Sequence, residues 1–100
     1  MRKLFNDNRL WERLQEGEFT SIVLQSRAAP ATAGEPAGTL SQMVSYRDSE
    51  SYEIARVHQY VRPDRSIGAK GRPDPKRLFL DGVLYRLVKN PQAKPLGSDT

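Results

Sequence analysis

The chain has 100 residues, 37 % hydrophobic and 28 % charged, a size for one domain rather than several. Having no cysteine excludes a disulfide framework, a thiolate zinc site and a cysteine nucleophile, and the single His58 cannot build a histidine-rich metal site. Sixteen Lys and Arg against twelve Asp and Glu leave a formal charge of +4, which permits anionic partners without requiring one.

Residues Asn6 to Glu16 carry Leu10, Trp11 and Leu14 on one face of a short helix, with Asn6 or Asp7 as its cap and Gly17 as its end. So short a helix persists in water only when docked, and Trp11 is the expected anchor. Phe19 to Ser26 is a short, partly β-branched run that predicts a strand. Ala28 to Gly38 holds two prolines, two glycines and little to bury, which predicts a mobile loop between strands. Leu40, Gln42, Val44 and Tyr46 alternate with Ser41, Met43, Ser45 and Arg47, the period of a strand, and Asp48 to Ser51 turns the chain. The next run, Tyr52 to Arg62, puts Ala55, Val57 and Val61 on one face and Tyr52, Ile54, Arg56, His58, Tyr60 and Arg62 on the other.

Pro63 and Asp64 suit a turn, and Gly68, Gly71, Pro73 and Pro75 predict a loop from Ser66 to Pro75. Leu78-Phe79-Leu80, Asp81-Gly82 and Val83-Leu84-Tyr85 then read as a two-residue hairpin, because Asp-Gly supplies the positive φ angles of a type I′ turn. The tail, 90–100, has two prolines and little to bury and is expected to be disordered. Together these elements predict a single α+β domain over 1–89, a short N-terminal helix packed on a largely antiparallel sheet of about five strands. No apolar run approaches the roughly 20 residues that cross a bilayer, and Met1 to Asn8 lacks the apolar stretch of a secretory signal, so the expected location is cytoplasmic with no membrane partner.

Charge is unevenly spread. Residues 1–55 hold six basic and eight acidic groups, whereas residues 56–89 hold nine basic and three acidic groups. Arg56, His58, Tyr60 and Arg62 lie two apart on one strand face, mixing cations that meet phosphates with a ring that stacks on a base; a solvated outer face explains the same pattern. The Asp81-Gly82 turn fixes Leu80 opposite Val83, Phe79 opposite Leu84, Leu78 opposite Tyr85 and Arg77 opposite Arg86. Like charges directly opposite destabilise a sheet, so Arg77 and Arg86 imply either an anion between them or side chains that splay into water or meet Glu50 or Glu53.

Ile67-Gly68-Ala69-Lys70-Gly71-Arg72 resembles the Gly-x-x-Gly loop of KH domains, which implies phosphate contacts from its backbone, Lys70 and Arg72. The KH fold itself is excluded, because Pro73-Asp74-Pro75 follows at once and no helical period flanks the loop. Val57 to Tyr60, Arg62-Pro63-Asp64, Gly71 to Arg77 and Leu84-Tyr85-Arg86 together resemble small bacterial proteins of unknown function, a likeness that implies no activity and no functional residue. Asp64, Asp74 and Asp81 lack a spacing that gathers a metal, and no phosphate-loop, dinucleotide or serine-hydrolase motif is present, so no cofactor is expected.

The leading expectation is a small non-enzymatic accessory protein whose basic C-terminal sheet and loop contact RNA, DNA or another polyanion through Arg56, His58, Tyr60, Arg62, Lys70, Arg72, Arg77 and Arg86. One alternative is a protein-interaction subunit that uses the sheet edge, the Ala/Pro loop or the tail to join a larger assembly. The other is a metal-independent ribonuclease-type toxin, in which His58, Tyr60, Arg62 and Lys70 supply base, acid and cations.

Overall fold

The computed structural model describes residues 1–87. Two helices, α1 (Arg2–Asp7) and α2 (Leu10–Gln15), precede five strands: β1 (Thr20–Ala28), β2 (Leu40–Arg47), β3 (Glu53–Val61), β4 (Asp74–Leu80) and β5 (Val83–Arg86). The strands form one antiparallel sheet in chain order, so the α+β class and the five-strand sheet are as expected. No helix among the described residues is long and apolar enough to cross a membrane. The expected disordered tail, 90–100, lies outside the described residues.

The single helix expected over 6–16 is instead two short ones. Asn6, Asp7 and Asn8 are poor helix formers whose side chains compete for backbone groups, and Asn8 Nδ2 donates to the Leu4 carbonyl at 2.9 Å. Arg9 then adopts the left-handed region, φ 54° and ψ 39°, and redirects the chain. Asn6 and Asp7 therefore close α1 rather than cap the helix that follows. The anchors are Phe5 and Leu10, both fully buried, and not Trp11, which is half-buried beneath the Arg72 guanidinium. Phe5 and Leu10 share a core with Phe19, Val44, Tyr46, Ala55, Val57 and Leu78, and the Phe5 ring lies 6.1 Å from that of Tyr46.

Register explains why those strand residues meet: Val44 faces Val57, Tyr46 faces Ala55, and Ala55 faces Leu78 across adjacent strands. A bulge between Tyr46 and Arg47 opposes Arg47 to Glu53 and leaves Ile54 extra. Ile54 consequently packs against the core, and Glu53 reaches the face that carries Ser45 and Arg56; the strict alternation expected for Tyr52 to Arg62 fails at this point. A second bulge, opposite Arg56 and Val57, leaves Lys76 extra, and beyond it Pro75 pairs with Val57 and Asp74 with His58. β4 thus begins at Asp74, inside the expected loop, with its proline at the start of the strand beside the bulge. The hairpin is as expected in every pair, with φ of 51° at Asp81 and 76° at Gly82.

Residues 28–38 open with the last residue of β1 and include a 3-10 turn at Ala31–Ala33. Beyond that turn Glu35 is docked, its side chain only 6 % exposed. The carboxylate accepts Arg62 Nε at 2.8 Å and the Ala69 N–H at 2.7 Å, tying this segment to the chain between β3 and β4.

Candidate nucleic-acid interface

The face of the sheet opposite the core carries a row of arginines. Arg56 faces Arg77 across β3 and β4, and Arg77 faces Arg86 across β4 and β5, so three guanidinium groups occupy one line over three adjacent strands. Like charges in this position repel, and Glu53 answers them. Its carboxylate accepts Arg56 Nε at 3.0 Å and lies 3.8 Å from Arg77 Nε. The Ser45 hydroxyl, fully buried, donates to Glu53 at 2.6 Å and in turn accepts Arg47 Nε at 2.7 Å. Glu53 thus answers Arg56 and Arg77 directly and reaches Arg47 only through Ser45, while Arg86 adjoins the row through Arg77 alone, so the positive charge stays in excess. Burial alone would raise the Glu53 carboxyl, but Ser45, Arg56 and Arg77 outweigh it and hold the group below the usual carboxylate range.

Apolar groups border this row. Phe79 faces Leu84 on the same side of the hairpin as Arg77 and Arg86, and the two are 43 % and 45 % exposed. An exposed ring beside cations is the combination that grips a single strand, the ring stacking on bases and the cations meeting phosphates.

The eight residues expected from the sequence do not form one cluster. Arg56, Arg77 and Arg86 make the row. His58, Tyr60, Lys70 and Arg72 instead border a cavity near the other end of β3, together with Arg2 and Lys76. His58 Nε2 shares a 2.7 Å hydrogen bond with the Ser41 hydroxyl, and its ring meets Tyr60 edge-on with centroids 4.8 Å apart. Burial and the nearby Lys76 push the His58 pKa down, against the opposing pull of Asp74. Arg62 is paired with Glu35 and does not line this cavity with the other groups of the ribonuclease alternative. Arg72 is committed to Glu12 by two hydrogen bonds, of 2.8 and 3.3 Å, and stacks over Trp11. The Ala69 amide, which a KH-like loop would offer to phosphate, is held by Glu35.

Sequence reasoning missed Phe79, although the hairpin register that pairs Arg77 with Arg86 also puts Phe79 on their face. Glu53, expected as an alternative to Glu50 to meet Arg77 or Arg86, stands 3.8 Å from Arg77; its bonds to Ser45 and Arg56 were missed because a bulge carries no clear sequence mark. Arg2 and Lys76 gave no signal, since their places depend on how α1 meets β4. Compared with protein-family models, curated proteins and solved structures, the chain matches none.

Proposed function

We propose that this protein binds single-stranded nucleic acid on the face of the sheet opposite its core. The observation that carries the reading is the arginine row Arg56, Arg77 and Arg86 with Glu53 as its one close carboxylate among the described residues. Holding three cations in register costs stability through their repulsion, and a polyanion laid along the row relieves it. Exposed Phe79 favours single strands, whose unstacked bases offer flat faces, over duplex, whose bases do not. Phosphate contacts of this kind position the strand and carry no sequence information, so binding is expected to be largely indifferent to sequence.

Fluorescence anisotropy with labelled RNA, single-stranded DNA and duplex DNA tests this. The expected order is single strands over duplex, with Phe79→Ala losing on the order of 1–3 kcal/mol for single strands only. A folded sample that binds no single strand at low salt would overturn the reading.

A second reading, a protein-interaction subunit, has one observation in its favour. β1 is an edge strand of nine residues, exposed throughout, with Ile22, Val23 and Leu24 at its centre and neither proline nor a central charge to protect it. A partner that adds an extended segment to this edge gains main-chain hydrogen bonds and contacts with those side chains. Crosslinking at Ile22 in the presence of partner proteins tests it, and Val23→Lys in the same crosslinking chain should abolish the product.

A further inference from the structure

β3 is left uncovered over a short stretch. The chain returns to it at Gly68, whose N–H donates to the Tyr60 carbonyl at 2.8 Å, and rejoins it at Asp74, opposite His58. Residues 69–73 bow outward between these points and enclose a cavity of about 490 Å³. The bow is fixed by its own bonds: the Gly71 N–H donates to the Gly68 carbonyl at 3.0 Å, the Ala69 N–H to Glu35, and Arg72 to Glu12. The cavity is therefore preformed, and its volume lies in the range that encloses small ligands.

Its charge is one-sided. Arg2, Lys70, Arg72 and Lys76 line it, against the single carboxylate of Asp74. Arg2 at 2.7 Å and Lys76 at 2.9 Å share that carboxylate, so neither cation is fully compensated. The Lys70 ammonium has no carboxylate within ion-pair range among the described residues, and Lys70 stands exposed at the rim. A phosphomonoester, with close to two negative charges and three acceptor oxygens, matches this set better than a singly charged diester. Beside the cations, Tyr60 gives an aromatic wall on which a base can stack, and the Gln59 amide, whose nitrogen already donates to Gln42 Oε1 at 3.1 Å, completes this side.

We propose that this cavity binds a nucleoside monophosphate, its phosphate between Lys70 and Lys76 and its base against Tyr60. The site is separate from the arginine row and does not depend on strand binding there. Two sources present the same chemistry, a free nucleotide and the phosphorylated end of a strand.

Titration calorimetry of the full chain with each of the four nucleoside 5′-monophosphates, with adenosine and with inorganic phosphate tests the proposal. At least one monophosphate should bind, more tightly than phosphate or adenosine alone. Lys70→Glu should weaken it tenfold or more with the melting temperature unchanged, since this exposed side chain takes part in no hydrogen bond or ion pair among the described residues. Tyr60→Leu should weaken the monophosphate and leave inorganic phosphate alone. No binding of any monophosphate by the folded chain, or binding that Lys70→Glu leaves intact, would overturn the site; phosphate binding as tight as every monophosphate would overturn the base contact. An oligonucleotide with a 5′-phosphate that outbinds its hydroxyl-ended counterpart in a Lys70-dependent way identifies the strand end as the source, and equal binding identifies the free nucleotide. Monophosphate binding by a wild-type chain that fails to bind a hydroxyl-ended strand would remove the strand reading and leave this one standing.

Discussion

Glu53 is the residue on which stability and the proposed binding pull in opposite directions. It is largely buried and compensates Arg56 and Arg77, so Glu53→Gln leaves two guanidinium groups facing each other. Breaking a fully buried pair costs roughly 3–5 kcal/mol, but both arginines are more than a third exposed or close to it and water screens them. The expected loss is therefore about 1–2 kcal/mol in urea denaturation. The same change removes the one carboxylate among the described residues that a phosphate on this row must compete with, so a single strand should bind the destabilised variant more tightly. Tyr46 makes the opposite case in the core, where its hydroxyl is buried without a partner. Tyr46→Phe removes an unpaired polar group and should leave stability equal or higher by up to about 1 kcal/mol. His58 gives a pH dependence with a defined sign. Its folded pKa is depressed by burial and Lys76, so protonation favours the unfolded chain. Its stabilising effect is complete above the unfolded value of about 6.5 and is lost as pH falls from there through the folded pKa. Urea midpoints should decline between pH 7.5 and 5.5, and His58→Gln should flatten the decline.

Among the elements, the β4–β5 hairpin was the most legible in the sequence, because one dipeptide dictates both turn and register. Gly82 has φ 76°, so Gly82→Val should destabilise the domain by about 1 kcal/mol or more, read as a lower unfolding midpoint. The helical region was legible as helical but not as two pieces, since the break at Arg9 is a left-handed residue whose side chain announces nothing; it is steadied by the 3.0 Å ion pair with Glu16. The Ala/Pro segment shows why composition misleads about docking. Ten of its eleven residues carry no charge, and the remaining one, Glu35, makes the contacts that tie it down. Glu35→Ala should speed hydrogen exchange at the Ala69 amide, whose acceptor is lost; unchanged exchange would mean that the carboxylate does not hold this segment. The site was half legible for the same reason as the hairpin. Alternation puts Arg56 on one face of its strand and turn geometry puts Arg77 opposite Arg86, whereas the β3–β4 register that joins them and the bulge that brings Glu53 among them have no local signature.

At the scale of the molecule, function and fold meet in an asymmetry of the sheet. One face is closed by the core that includes Phe5 and Leu10, and the other is lined by charge from Arg47 to Arg86, the face on which we propose that a strand binds. Basic residues are concentrated after position 55, which puts the positive field on β3 to β5 and leaves β1 as a nearly neutral edge with Arg27 as its one charge. The central claim is that the arginine row meets phosphates. A single strand neutralised at three phosphates should show log K falling with log salt at a slope of about −2, since each contact contributes roughly −0.7. Arg86 tests this most directly, because it has no carboxylate within ion-pair range among the described residues and its loss disturbs no pair. Anisotropy titrations over a salt series should find Arg86→Ala folded, weaker in binding, and shallower in slope by about 0.7. An Arg86→Ala protein that binds a single strand with the affinity and salt slope of the wild type would contradict the account.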